Sequence, residues 1–523
     1  MLFDPPEGNR AGLRPPSFPT STPPIYGYTG DDYMTRISPT DLSFLLLERA
    51  NRPNHMAAFT IFQKPKGQEA SFGPRLFEAY RHSQAAKPFN HKLKWLGRDV
   101  AAWETVEPDM QYHIRHIAIP APGSMQQFHE TVSFLNTSLL DRAHPLWECY
   151  IIDGIENDRI AVMIKVHHSL IDGEGGLRAM RNFLSDSPDN KKLAGPWMSF
   201  ENADRPRRTR TIMSRRERLQ GMLGGLSKLP GDVFGVSADV VDLGAQSLNL
   251  KARKASLPFT ARRTLFNNTP KSAARAYADV ELPLADVKAV AKATDTSVND
   301  VVMTVIDDAL HHYLDEHQVP TDRPLVAFMP MSLRDKSGGG GGNQVSAELI
   351  PMGAPQASPI ERLKEINTAT TSAKDKGRGM QATSRQAYAL LLLSSLTMAD
   401  TVPWLGKVPS ANLVISNMKG PTEQLYLAGA PMVAFNGLPI VPPGAGLNVT
   451  FASMNTGLCI AIGAAPEAVH EPFRLAELIE QAFRALQIDA GATSPEINPA
   501  MAGRRPSLRD QNVNHTTPKS RTP

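Results

Sequence analysis

Cysteine is almost missing from this 523-residue chain: Cys149 and Cys459 are the only two. Two cysteines far apart build no disulfide framework and offer no CxxC or Cys/His metal spacing, so a reducing, cytoplasmic setting is expected. A charge excess is also missing. Lys and Arg number 56 against 52 Asp and Glu, a net +4, which excludes a nucleic-acid binder by bulk charge. Aromatic residues make up only 7%, and no aromatic-interleaved basic platform is present.

No run is long and apolar enough to span a bilayer. Gln386 to Ala399, the most apolar helical stretch, is closed by Arg385 and Asp400, short of the roughly 20 residues a crossing needs. It reads as core or as the lining of a lipid channel. Residues 424–466 carry no charge, but glycines and prolines break them into short pieces that read as core strands. The first residues, MLFDPPEGNRAGLRPP, lack the apolar stretch of a signal peptide.

What is there divides the chain. Residues 1–33 hold seven prolines and read as a disordered leader, with Met34 an alternative start. A first mixed α and β unit is expected over 34–190. Ser38-Pro39-Thr40-Asp41 opens it with an N-cap serine, a first-turn proline and an acid. Strands are expected at Ala57–Phe62, Glu148–Ile152 and Ile160–Val166, then a helix from Gly175 to Leu184.

Residues 191–258 form a crossover linker of unusual character. Seven arginines fall within 205–218, followed by Leu219, Met222, Leu223, Leu226 and Leu229 on one helical face. That pairing suits an interfacial helix at an anionic lipid surface somewhat better than a helix packed on the domains with a solvated basic edge.

A second mixed unit spans 259–490. It holds a helix opened by Ser297-Val298-Asn299-Asp300, another over Arg362–Lys374 and a closing helix near Phe473–Leu486. Its strands are expected at Ala276–Leu282, Leu325–Met331, Asn412–Ser416, Leu447–Ser453 and Leu458–Ile462. Residues 491–523 return to a basic, disordered tail. The fold class is therefore α+β, two units of similar size.

Chemistry concentrates at Val166-His167-His168-Ser169-Leu170-Ile171-Asp172-Gly173. A strand delivers two histidines, then a turn with an acid and a glycine leads into a helix. Imidazole ionises near neutral pH, so it can take a hydroxyl proton as that oxygen attacks a carbonyl. The same residues also suit a structural loop, or a metal site whose remaining ligands are absent from the local sequence.

His167-His168-Ser169-Leu170-Ile171-Asp172-Gly173 resembles the HHxxxDG motif of the bacterial wax ester synthase/acyl-CoA:diacylglycerol acyltransferase family. Ser38-Pro39-Thr40-Asp41 with Phe44-Leu45, then Pro145-Leu146-Trp147, Asn299-Asp300, Ser416-Asn417 before Gly420-Pro421, and Leu447-Asn448-Val449-Thr450 resemble that family's other segments, in order. The chain departs from the family at Asn54-His55-Met56, at Met418-Lys419 and in the five glycines 338–342.

The resemblance implies two chloramphenicol-acetyltransferase-like domains (an α/β sandwich) with a channel between them. It implies transfer from fatty acyl-CoA to diacylglycerol or a long-chain alcohol, with acyl-CoA as co-substrate and no resident cofactor or metal. His168 would be the general base, and His167 and Asp172 would organise the loop. Asn299 is the candidate donor to the tetrahedral oxyanion, or else a local helix cap. Pro145-Leu146-Trp147 is expected to be structural. Such substrates are nearly insoluble, so peripheral association with a membrane or lipid inclusions is expected.

Overall fold

The computed structural model describes residues 34–95, 101–171, 173–198, 258–332, 345–380, 382–401, 407–421, 423–442, 444–454 and 457–492. The expected leader, most of the 191–258 linker with its arginine run, the five glycines and the basic tail lie outside the described residues.

The first half runs β1 (Met34–Arg36), α1 (Pro39–Leu47), β2 (His55–Gln63), α2 (Phe72–Arg81), β3 (His91–Trp95), β4 (Ala101–Thr105), α3 (Met110–His113) and β5 (Ile114–Ala118). It continues through α4 (Met125–Leu135), β6 (Trp147–Ile155), β7 (Arg159–His167) and α5 (Gly173–Phe183). The second half runs β8 (Ala276–Pro283), α6 (Leu284–Ala293), α7 (Val298–Glu316), β9 (Val326–Ser332), β10 (Val345–Pro351), α8 (Pro359–Gly379) and α9 (Ala382–Thr401). It closes with β11 (Leu413–Lys419), β12 (Tyr426–Leu427), β13 (Ala430–Leu438), β14 (Leu447–Met454), β15 (Gly457–Ala464) and α10 (Pro472–Asp489).

Local chemistry accounts for the element ends. Ser38 caps α1 by accepting from the Asp41 amide, and Pro39 takes the first helical position, where a missing N–H costs nothing. Ser297 caps α7 in a full capping box with Asp300. The β6–β7 hairpin turns through Asn157 and Asp158, both left-handed at φ 60° and 53°, angles these two residue types tolerate.

Two six-stranded mixed sheets result. One has the order β12-β13-β2-β7-β6-β5, the other β10-β9-β11-β14-β15-β8; a small antiparallel sheet, β1-β4-β3, sits beside the first. Strands β12 and β13 come from the second half of the chain yet hydrogen-bond into the first sheet, with β13 antiparallel to β2. The halves are thus stitched together by backbone pairing.

Each sheet has its own core, and a third apolar cluster joins Phe59, Phe128 and Met163 of the first half to Tyr277, Leu438 and Ala461 of the second. The apolar run within α9 packs on the outer face of the second sheet: Ala389, Leu392 and Leu396 bury against Val326, Phe328 and Leu349. Helical spacing puts these three on one stripe, so this part of the run is core. Among the described residues no helix is long and apolar enough to cross a membrane.

Trp147 anchors the first core. It is fully buried, and its indole N–H donates to the Phe89 carbonyl at 2.7 Å. Its ring stacks on His113 at 4.2 Å and on Trp197 at 5.1 Å. Trp147→Ala should cost about 3–5 kcal/mol of stability. A urea midpoint unchanged from wild type would contradict this packing role.

Candidate functional site

The two adjacent histidines part company where β7 ends. Strand alternation sends His167 to the buried face, 1% exposed, while His168 is half-buried at the start of the turn. The backbone is held on both flanks. The His167 amide donates to Leu146 at 2.9 Å, and the His168 amide donates to Asn54 at 3.0 Å. The Pro145-Leu146-Trp147 segment and the segment before β2 therefore grip the motif from opposite sides. A further bond, from the Leu170 amide to the His167 carbonyl at 2.9 Å, tightens the turn.

The imidazole of His168 lies flat on Phe44 of α1, ring centroids 4.3 Å apart and planes 17° from parallel. The Phe44 carbonyl is in turn held by the Asn54 side-chain amide at 2.7 Å. One helix thus supplies a platform for the ring.

His167 is fixed differently. The Ser169 amide donates to its Nδ1 at 3.1 Å, and the Ser169 hydroxyl lies 2.6 Å from the same nitrogen. An Nδ1 that accepts from a backbone N–H carries no proton, so the hydrogen sits on Nε2. That nitrogen points at Glu48 Oε1, 3.3 Å away and off the line of a well-formed hydrogen bond. Glu48 also accepts from the Asn54 amide at 3.1 Å and pairs with Arg142 at 3.0 Å. Burial alone would raise the Glu48 pKa, but His167, the Asn54 amide and Arg142 outweigh it and hold the carboxyl at about 2. A carboxylate ionised at neutral pH therefore orients the first histidine of the pair.

Behind this layer sit two more polar groups. His55, opposite His167 in the β2–β7 register, donates from Nε2 to the Asn136 carbonyl at 2.9 Å. Burial and nearby Lys165 depress its pKa to about 3, so it stays neutral. Lys165 is fully buried and donates to the Leu135 and Ser138 carbonyls at the end of α4, 3.2 and 2.7 Å away. Its remaining partner is Glu148, at 3.3 Å, and burial lowers its pKa. These groups stiffen the strand end that presents His168.

Asn299 belongs to the second half, at the second position of α7. The cap of that helix is Ser297, which removes the local-cap alternative for Asn299. Its Oδ1 accepts from Asn417 Nδ2 of β11 at 2.6 Å, which fixes the amide and leaves Nδ2 as its donor end. The next residue, Asp300, is structural. Burial would raise its pKa, but donation from Ser297, Thr370 and Asn367 holds it below the usual carboxylate range. Met418, beside Asn417, and Met454 pack against the core of the first sheet, the same core that holds Leu170 and Ile171. Asp172 lies outside the described residues.

Sequence reasoning singled out His167, His168 and Asn299, named Ser169 and Asn417 within motifs without giving them a role, and missed Glu48, Arg142 and Lys165. The one local signal for Glu48 is an acid closing an apolar helix, Leu45-Leu46-Leu47-Glu48. A cavity of about 300 Å³ lined by Arg181, Ser185, Asp186 and Glu423 contains neither histidine of the motif.

Comparison with known proteins comes to the same place. Residues 37–302 match the model of the wax ester synthase/diacylglycerol acyltransferase catalytic domain, and residues 341–487 that of the WS/DGAT C-terminal domain. The chain is 79% identical over 494 residues to a Mycobacterium tuberculosis protein named "Probable diacyglycerol O-acyltransferase Tgs4", covering 94% of this chain and 100% of that one. Among solved structures it resembles the wax ester synthase/diacylglycerol acyltransferase from Marinobacter aquaeolei VT8, with TM-score 0.66 and 24% identity over 87% of this chain and 100% of that chain. The first condensation domain of the CDA synthetase shares the fold at TM-score 0.50 and 13% identity, covering 88% of this chain and 98% of that domain. The α+β architecture of two chloramphenicol-acetyltransferase-like halves is the one found. The chain belongs to the wax ester synthase/diacylglycerol acyltransferase family.

Proposed function

We propose that this member of the family is an acyl-CoA-dependent O-acyltransferase that esterifies diacylglycerol, a long-chain alcohol, or both, with His168 as general base. The observation that carries the reading is the placement of His168: clamped through its backbone, supported on Phe44 and only half-buried.

The chemistry follows from that placement. The neutral imidazole takes the proton of the acceptor hydroxyl as its oxygen attacks the thioester carbonyl. The tetrahedral intermediate collapses, the C–S bond breaks, and the CoA thiolate takes the proton back from the imidazolium. Ester and CoA leave, with no covalent enzyme intermediate. Asn299 Nδ2 is the proposed donor to the oxyanion, held in place by Asn417. His167, tied to Ser169 and Glu48, and Asp172 are assigned to organising the turn. The protein would act while peripherally bound at a membrane or lipid inclusion.

The test offers acyl-CoA with diacylglycerol, hexadecanol or a long-chain amine and separates the products. Triacylglycerol or wax ester with equimolar CoA release is expected. An amide product would move the acceptor class. Binding of acyl-CoA with no CoA release from any acceptor would reduce the chain to a lipid-surface binding protein.

A further inference from the structure

We propose that the end of α1 and the loop after α4 form the face by which the protein docks on an anionic lipid surface. This rests on the acyl-transfer reading, since it is the insolubility of those substrates that makes a lipid interface the place of work.

Four large apolar side chains there are turned to solvent: Leu46 is 48% exposed, Leu47 44%, Phe134 74% and Leu139 40%. They come from two segments tied to each other within a few residues. Arg142 donates to the Leu45 carbonyl at 2.8 Å and pairs with Glu48. The Asn54 amide reaches Glu48, and the adjacent His55 holds the Asn136 carbonyl. Leaving such side chains in water on two elements so firmly joined is costly unless something covers them.

Charge says what that cover is. Directly after α1, residues 49–52 form a tight loop closed by reciprocal backbone bonds between Arg49 and Arg52 at 3.2 and 2.8 Å. Arg49 is exposed and Arg52 half-buried. Arg275 joins them from the second half, donating to the Asn51 carbonyl at 3.0 Å. The acid between the leucines and the arginines, Glu48, faces inward to His167 and Arg142, so it does not offset them toward solvent. Exposed Asp141 beside Leu139 is outnumbered by Arg49, Arg52, Arg142 and Arg275, so the apolar side chains carry a net positive edge, which matches an interface whose head groups are negative and whose interior is hydrocarbon.

Location supplies the functional sense. Phe44, the platform under His168, lies one turn before Leu47 on the same helix. Docking through this face would bring lipid to within about a helical turn, roughly 5 Å along the axis, of the platform beneath the base.

The experiment sediments the full chain with vesicles of phosphatidylcholine alone or with 30% phosphatidylglycerol, comparing wild type, L46E/L47E, F134E/L139E and R49E. Each double variant should bind the anionic vesicles at least about tenfold more weakly. R49E should narrow the difference between the two vesicle types. All should release CoA from hexanoyl-CoA and hexanol, a soluble pair, at the wild-type rate. Wild-type vesicle binding by both double variants would overturn the proposal. So would loss of binding only on deletion of 205–229, or a wild type that ignores vesicles and self-associates through the leucines. Intact vesicle binding with no turnover of the soluble pair would instead strike the acyl-transfer reading and leave the docking face standing.

Discussion

Replacing His168 with alanine should lower ester formation by about 10²–10⁴-fold while the protein stays folded. The expectation of a sound fold has a structural basis. The His168 amide that bonds to Asn54 is backbone and survives the change, and the ring is half-buried, so little core is lost. CoA release measured beside a thermal melt separates the two effects. His167→Ala is the informative contrast. Its ring is buried between Ser169 and Glu48, so that variant should lose stability as well as activity. Near-normal turnover by a well-folded His168→Ala protein would end the assignment of the base.

The second large effect is expected at Glu48. Glu48→Ala leaves buried His167 without its carboxylate and Arg142 without its partner. Breaking a buried pair from one side costs about 3–5 kcal/mol, and Arg142, 39% exposed, can turn to water, which favours the low end of that range. The pH dependence has a definite sign. The folded pKa, about 2, lies below the ordinary 4.5, so the stabilisation is complete above about pH 4.5 and drains away as pH falls toward 2. Urea midpoints of wild type should therefore drop between pH 5 and pH 3 more steeply than those of Glu48→Gln, which has no such proton to gain. Parallel curves for the two proteins would show that the carboxylate is not the group that matters.

The residues that were legible in the sequence are those whose signal is local. Ser38-Pro39-Thr40-Asp41 and Ser297-Val298-Asn299-Asp300 start helices because capping is a contact over three residues. The β6–β7 hairpin shows in β-branched runs either side of Asn157-Asp158, and its end delivers the two histidines. The charge-free stretch 424–466 read as core strands, which it contains, but nothing in it tells β13 to pair with β2 rather than with its own neighbours.

Composition, capping and hydrophobic period determined the α+β class, several of the helices and strands and the pair of histidines, because each is set by interactions within one or two turns of chain. Tertiary structure alone decided that β12 and β13 cross into the first sheet, that Glu48 meets a histidine more than a hundred residues away, and that Asn417 holds Asn299. It also decided which face of α9 is core. Such contacts form only when distant segments are already packed, so their energies leave no imprint on the neighbouring residues of either partner.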